Sequence, residues 1–284
     1  MVQIGSEKNG VDMVTNDYVA KPPVLPGIDE TSVVVIAGGS GAIGSHCAAA
    51  LSKMGARVAI TGRSQVRVKE CVQSVSYGGE VFGLVADVSS SVQVDTAVNS
   101  VADKWGRIDA LVNLAAIGDS GRHLEEVEDS EIAAVLNTNL VGAMYLARAC
   151  AVVMKQHTKG SIVNVSSIGG HRVTPHRITY GPAKAALEHL SRQLSVDLGR
   201  YGIRVNTISP GQTPSNLRRF NESPGLPPIT SDPEGNPTPT RRIPLSRRGK
   251  FEDYVGAILF LLSDLASYVT GVNIWVDGGA SVVR

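Results

Sequence analysis

The sequence predicts an α/β fold: a doubly wound, mostly parallel seven-stranded sheet with helices on both faces. Three observations carry that prediction. Short apolar runs alternate with stretches of helical periodicity along most of the chain, as in successive βαβ units. The strand-like runs are continuously apolar, not alternating, as strands covered on both faces must be. A glycine cluster, Ala37-Gly38-Gly39-Ser40-Gly41-Ala42-Ile43-Gly44, follows the first of these runs and precedes a helical stretch.

The elements follow in order. SVVVIAG (32–38) is the first strand, and a small-residue helix runs from Ala42 to Met54. RVAITG (57–62) and the helix Ser64 to Ser76 form the next unit, then VFGLVAD (81–87) and the helix Ser91 to Trp105. DALVNLAA (109–116) is the fourth strand, and one long helix is expected from Ser130 to His157. GSIVNVSS (160–167), a helix from Ile178 to Tyr201, IRVNTISPG (203–211), a helix from Phe251 to Leu262 and VNIWVD (272–277) complete the pattern. Right-handed crossovers would wind these helices onto both faces of the sheet.

Size and composition bound the function. The chain has 284 residues, 43% apolar and 19% charged, which suits one large globular domain with a sizeable core. A formal net charge of +1 gives no global field toward nucleic acid or a membrane surface. No apolar run reaches bilayer-spanning length, and the first residues lack the apolar core of a secretory signal. Cys47, Cys71 and Cys150 show no metal-ligand spacing and read as small core residues of a reducing compartment. The expectation is a cytoplasmic protein with no nucleic-acid or membrane partner. Residues 1–29, polar and ending in Pro22, Pro23 and Pro26, are expected to be a poorly ordered N-terminal arm. Residues 30–284 form the single domain. Within it, residues 212–249 carry eight of the fourteen prolines, so this long irregular segment is read as a substrate lid.

The glycine cluster sits where a dinucleotide's pyrophosphate would bind. Glycine lets the backbone approach a phosphate closely, and the helix beyond presents free N–H groups and a positive dipole end. This is the Rossmann arrangement. There, an acidic residue normally ends the second strand and holds the ribose hydroxyls. Here that strand ends in Thr61-Gly62-Arg63. A guanidinium pairs with a 2′-phosphate, which favours NADP(H) over NAD(H).

Tyr180-Gly-Pro-Ala-Lys184 places a phenol and an ammonium four residues apart, on one helix face. An ammonium favours the phenolate and lowers the phenol's pKa toward the range useful to a general acid/base. Ser166 and Ser167 close the fifth strand, at the carboxyl edge where such sheets bind ligands. With these residues in order, the sequence resembles the short-chain dehydrogenase/reductase family over roughly 31–280. The loop Ala37–Gly44 matches the family's Thr-Gly-x-x-x-Gly-x-Gly, and Asn113-Leu-Ala-Ala116 its Asn-Asn-Ala-Gly. Asn139 lies within Asn-Thr-Asn-Leu, and Ser167 precedes Tyr180 at the family's interval. Ser209-Pro-Gly211 and Val276-Asp-Gly-Gly279 match its strand-six and C-terminal motifs.

The resemblance implies an enzyme that moves a hydride between NADP(H) and a carbonyl or secondary alcohol. Tyr180 would protonate the substrate oxygen, Ser167 would hydrogen-bond it, and Lys184 would lower the Tyr180 pKa and bind the nicotinamide ribose. Asn139 would hold a water in a proton relay. Gly38, Ser40, Gly41, Ile43, Gly44 and Arg63 would meet the phosphates and ribose, Asp87 and Val88 the adenine, and Asn113 the floor beside the cofactor. Pro210, Gly211 and Thr213 would meet the nicotinamide end. The partners implied are a small-molecule carbonyl or alcohol and further copies of the chain, as a homodimer or homotetramer. Ala37, Ala42, Leu114 and Ala116 depart from the family pattern and bear on phosphate contacts more than on the chemistry. A non-catalytic dinucleotide sensor and an epimerase or dehydratase of the same superfamily are the alternatives. The retained Tyr180 and Lys184 count against the first. The absence of a larger C-terminal substrate domain counts against the second.

The lid segment carries Arg218, Arg219, Arg241, Arg242, Arg247 and Arg248 against Glu222, Asp232 and Glu234. With His171, Arg172, His176 and Arg177 just before Tyr180, this basic concentration predicts an anionic or hydroxyl-rich substrate.

Overall fold

The computed structural model describes residues 25–213 and 243–283. Seven strands, β1 (Val33–Ala37), β2 (Arg57–Gly62), β3 (Val81–Val85), β4 (Ala110–Asn113), β5 (Gly160–Val165), β6 (Ile203–Pro210) and β7 (Asn273–Val276), form one parallel sheet in the order β3-β2-β1-β4-β5-β6-β7. The order reverses between β1 and β4, which opens a crevice at their carboxyl ends.

The sheet is a centre layer, which explains why its strands read as unbroken apolar runs. Successive residues of β1 point to opposite faces. Val34 and Ile36 join Leu51, Ile60, Tyr254 and Ile258 in one core, under α1 (Ala42–Lys53), α2 (Gln65–Val75) and α7 (Phe251–Leu262). Val33 and Val35 join Val94, Leu111, Leu146, Met154 and Ile162 in the other, under α3 (Ser91–Trp105), α5 (Gly142–Gln156) and the end of α6 (Tyr180–Gly199). Each such aliphatic side chain, fully buried, contributes about 1.5–3 kcal/mol.

Three departures from the sequence expectation matter. The long helix expected from Ser130 to His157 is α4 (Asp129–Leu136) and α5, joined by a π-helical turn at Asn137–Val141. That turn widens the helix at Asn139. Second, α6 begins at Tyr180 itself, two residues later than expected, because the Tyr180 N–H is taken by the Asp119 carboxylate. Third, the packed chain begins before residue 30. Ile28 is buried, Leu25 packs on the α7 side, and the Pro26 carbonyl accepts from the Asp264 N–H at 2.7 Å. The rest of the expected arm, residues 1–24, lies outside the described residues, as do residues 214–242 of the expected lid.

Candidate active site

A cleft of about 270 Å³ runs along the carboxyl edge of the sheet from β2 to β4. Its floor is backbone. Gly38, at φ +74°, turns the chain out of β1, and a Cβ there would lie 2.9 Å from the Ala115 N. Gly44, in the first turn of α1, packs so close that a Cβ would lie 2.6 Å from the Gly38 carbonyl oxygen and 2.7 Å from the Gly39 Cα. A loop held this close to its helix aims free N–H groups into the cleft, which fits a pyrophosphate. At Gly41, by contrast, a Cβ would meet only the Gly38 oxygen, at 3.1 Å. The Ala42 departure is accommodated because Ala42 is the first residue of α1, with Gly41 as its N-cap.

Of the residues assigned to the cofactor from sequence, Gly38, Ser40, Gly41, Ile43, Gly44, Arg63, Asp87 and Val88 line this cleft. Ser64, Arg67, Ala86 and Thr138 line it too and escaped the sequence reading. Arg67 had a signal: it follows Arg63 by four residues, on the opening turn of α2. Ser64 caps that helix, accepting from the Arg67 N–H at 3.4 Å, and the Arg67 guanidinium donates to the Ser40 carbonyl at 3.2 Å. The end of β2 therefore carries two exposed cations beside a helix N-terminus.

Asn113 is buried at the end of β4. Its Nδ2 donates to Asn164 Oδ1 at 3.1 Å, and Asn164 Nδ2 donates to Ser191 Oγ at 3.0 Å. These amides bind the strand ends to α6 and fix the cleft floor. Asn164 was missed because it falls inside an apolar strand run, and only the register that sets it beside Asn113 reveals its role. Pro210, Gly211 and Thr213 lie outside this cleft, at the end of β6, where the Gly211 N–H donates to the Val276 carbonyl at 3.0 Å and Thr213 is buried.

The chemical end of the site lies where β5 meets α6. Ser167 opens a 3-10 turn, its Oγ accepting from the Gly169 N–H at 3.1 Å, and its hydroxyl acts on the Tyr180 phenol, holding its pKa down against burial. Lys184 is 2% exposed and donates from Nζ to the Val165 carbonyl at 2.8 Å. Burial lowers its pKa to about 8, while the Glu188 carboxylate one turn on opposes the fall. Glu188 Oε1 also accepts from Ser166 at 2.8 Å and Ser209 at 3.2 Å, so one carboxylate clasps α6 to two strand ends.

The environments of Tyr180, Lys184 and Asn139 follow from their burial. Burial pushes the phenol up to about 12, and the influences opposing it are the Ser167 hydrogen bond and the Arg177 cation. Lys184 sits with its ammonium 5.7 Å from the Tyr180 ring centroid and is itself desolvated. Asn139 is fully buried, and both ends of its amide are engaged with Ile117: Oδ1 accepts from the Ile117 N–H and Nδ2 donates to its carbonyl, each at 2.9 Å. Its side chain anchors the chain after β4.

The basic concentration is also partly spent. Arg177 pairs with Asp119 at 2.8 Å, Arg247 with Asp253 at 2.6 Å, and Arg172 donates to the Ala280 carbonyl. Arg218, Arg219, Arg241 and Arg242 lie outside the described residues.

Comparison with known proteins agrees with this geometry. The family model described as enoyl-(acyl carrier protein) reductase matches residues 37–281. An uncharacterized oxidoreductase of Thermotoga maritima is 37% identical over 88% of this chain and 98% of its own length. L-rhamnose 1-dehydrogenase (NAD(P)(+)) of Azotobacter vinelandii is 33% identical over 90% and 98%. The solved structure of a short-chain type dehydrogenase/reductase from Mycobacterium ulcerans superposes with a TM-score of 0.82 at 30% identity, over 89% of this chain and 90% of that one. The chain belongs to the short-chain dehydrogenase/reductase family. It is an oxidoreductase that works with a nicotinamide cofactor on a small-molecule substrate.

Proposed function

We propose that the protein is an NADP(H)-dependent enzyme that interconverts a carbonyl compound and its secondary alcohol, with Tyr180 as the general acid/base. The observation that carries the reading is the meeting of the Tyr180 phenol, the Ser167 hydroxyl and the buried Lys184 ammonium where β5 joins α6. When bound, the nicotinamide supplies or accepts the hydride. In reduction, Ser167 orients the substrate oxygen and Tyr180 gives it the phenolic proton. A phenol held near 12 is fully protonated at neutral pH, the form that reduction needs. In oxidation Tyr180 takes the alcohol proton, so that direction gains as pH rises. Glu188 helps keep Lys184 charged beneath the ring.

The cofactor preference rests on Arg63 and Arg67 flanking the α2 N-terminus, with no carboxylate at the end of β2 to repel a 2′-phosphate. The paired state of Arg172, Arg177 and Arg247 withdraws support from an anionic substrate, so the reading favours a neutral, hydroxyl-bearing one. A relative's name, L-rhamnose 1-dehydrogenase, points the same way. Assembly as a homodimer or homotetramer is supported by β7, the sheet edge, which leaves Trp275 and Val272 partly exposed beside a fully exposed Tyr268. A cytoplasmic location is supported by three buried free thiols.

The test is kcat/KM with NADPH and with NADH, across a panel that sets sugars and polyols beside sugar acids, keto acids and uncharged ketones. A higher kcat/KM with NADPH is expected, falling by about ten- to a hundredfold in a Gly62→Asp, Arg63→Ser double variant as one charged pair is lost and a repulsion gained. A higher kcat/KM with NADH in the unmodified enzyme would overturn the cofactor assignment. Cofactor binding without turnover of any member of the panel would favour a sensor.

A further inference from the structure

The residues just before Tyr180 do not all face outward. Arg177 turns in, and its Nη1 donates to Asp119 Oδ1 at 2.8 Å, with the carboxylate 2% and the guanidinium 19% exposed. The second Asp119 oxygen accepts from the Tyr180 backbone N–H at 3.2 Å. One buried carboxylate therefore holds both Tyr180 and the residue three before it. Its neighbourhood is held from both sides. Ser120 donates its N–H to the buried Glu131 carboxylate at 3.0 Å, and Glu131 also accepts from the Thr179 hydroxyl at 3.5 Å. Ile117 is locked by Asn139 in the π-helical turn. The chain reverses into Arg177 through His176, a non-glycine residue at φ +60° whose ring stacks edge-on to His123 at 4.3 Å. Strain of that kind persists only where surrounding contacts over-determine it.

We propose that the Asp119–Arg177 ion pair is a positioning device for Tyr180: it pins the first turn of the catalytic helix to the loop after β4 and holds a cation and a carboxylate against that turn. The inference rests on the reading of Tyr180 as the acid/base group. The groups acting on that phenol or its ring are Lys184 from its own helix, Arg177 from the segment before it, Asp119 from the β4 loop and the Ser167 hydroxyl from the end of β5. Glu131 stands behind Thr179. Of these, Arg177 pulls the phenol's pKa down and Asp119 pushes it up. A purely structural clasp would weaken the site when either half is lost, but would not move the phenol in opposite directions.

The experiment titrates the Tyr180 phenol in enzyme saturated with NADP+, by the ultraviolet absorbance of the phenolate, with Tyr180→Phe in each background as the blank. Arg177→Gln is expected to raise the midpoint, leaving less phenolate than the unmodified enzyme at each alkaline pH where the fold persists, and Asp119→Asn, whose amide oxygen still accepts the Tyr180 N–H, to lower it by about one unit. Arg177→Lys should restore it. In steady state, Arg177→Gln should lower kcat by about tenfold, with KM for NADP+ changed less than twofold, since Arg63 and Arg67 are untouched. Where a single variant fails to fold, the Asp119→Asn, Arg177→Gln double variant keeps the test alive: its midpoint should stay near that of the unmodified enzyme. Shifts of the same sign in the two single variants, no shift in either, or a full-unit shift in the double variant would overturn the proposal. Full turnover by Tyr180→Phe alone would instead overturn the acid/base reading beneath it, a separate outcome.

Discussion

The two ends of the site are built from different materials. At the β1–α1 end the wall is backbone: Gly38 and Gly44 bring main-chain atoms within contact of each other, and the charges present, Arg63 and Arg67, are exposed side chains at the rim. At the β5–α6 end the wall is side chains, and the ionic groups are buried: Lys184, Asp119 and Glu131 are each 2% exposed or less. The first end is sensitive to shape and indifferent to pH. The second is tolerant of small changes in shape and sensitive to charge. Substitutions can test that division directly.

The largest expected effect is Tyr180→Phe. The phenol oxygen belongs to the side-chain end and touches nothing in the glycine loop. Turnover should fall by about a thousandfold, within the usual range for a lost general acid/base, while cofactor affinity measured by fluorescence titration stays within about twofold. If cofactor affinity falls as far as turnover, the two ends are not separable in this way.

Gly44→Ala probes the other end. The added methyl would meet the Gly38 oxygen and the Gly39 Cα, both backbone, so the loop and helix must part. Overpacking of this kind costs about 1–3 kcal/mol, a fall in Tm of about 2–4 °C per kcal/mol for a domain of this size. Cofactor affinity should drop by about tenfold or more, with the pH profile unchanged. Gly41→Ala is the control, because its Cβ has a single contact at 3.1 Å. Equal losses in the two variants would mean that glycine content, and not close approach, shapes the loop.

The same division explains what the sequence made legible. Continuous apolar runs announced strands covered on both faces, and all seven appear in one parallel sheet. The glycine loop was legible because close backbone approach requires glycine at several nearby positions, Gly38, Gly39 and Gly44 among them. Side-chain networks announce themselves far less. Asp119 and Arg177 are 58 residues apart, and Asn113 and Asn164 are 51 apart, so only the folded sheet brings them together. Arg177 read as one more cation of a basic stretch, because sequence shows a charge and not its partner. The π-helical turn at Asn137–Val141 was not legible as a turn: Asn-Thr-Asn-Leu stands out as a polar interruption between two apolar helical stretches, but its pairing with Ile117, through Asn139, appears only in the fold. Arg67 was within reach, since its spacing from Arg63 follows from helical periodicity alone.

The smallest expected effect is the most discriminating, because it sets stability against function in one residue. Lys184 has a folded-state pKa of about 8, below its ordinary 10.5, because burial penalises its charge. Between pH 8 and pH 10.5 the unfolded chain therefore binds more protons than the folded one, and by linkage the contribution of Lys184 to stability improves as pH rises through that window. Below pH 8 both states are protonated and the full penalty is present. Replacing the ammonium with an apolar side chain of similar length removes the penalty but leaves the Val165 carbonyl without the Nζ donor. Lys184→Met should then be more stable than the unmodified protein at pH 7 by about 1–2 kcal/mol, the burial gain of a little over two pKa units less the lost hydrogen bond. The gain should shrink as pH approaches 10, and turnover should be lost. Melting curves at pH 7 and pH 9.5, measured without cofactor, check it. A variant less stable at pH 7, or a gain that does not shrink with pH, would show that Lys184 is held as a structural cation, and the side-chain end would then not be the part of the molecule that trades stability for chemistry.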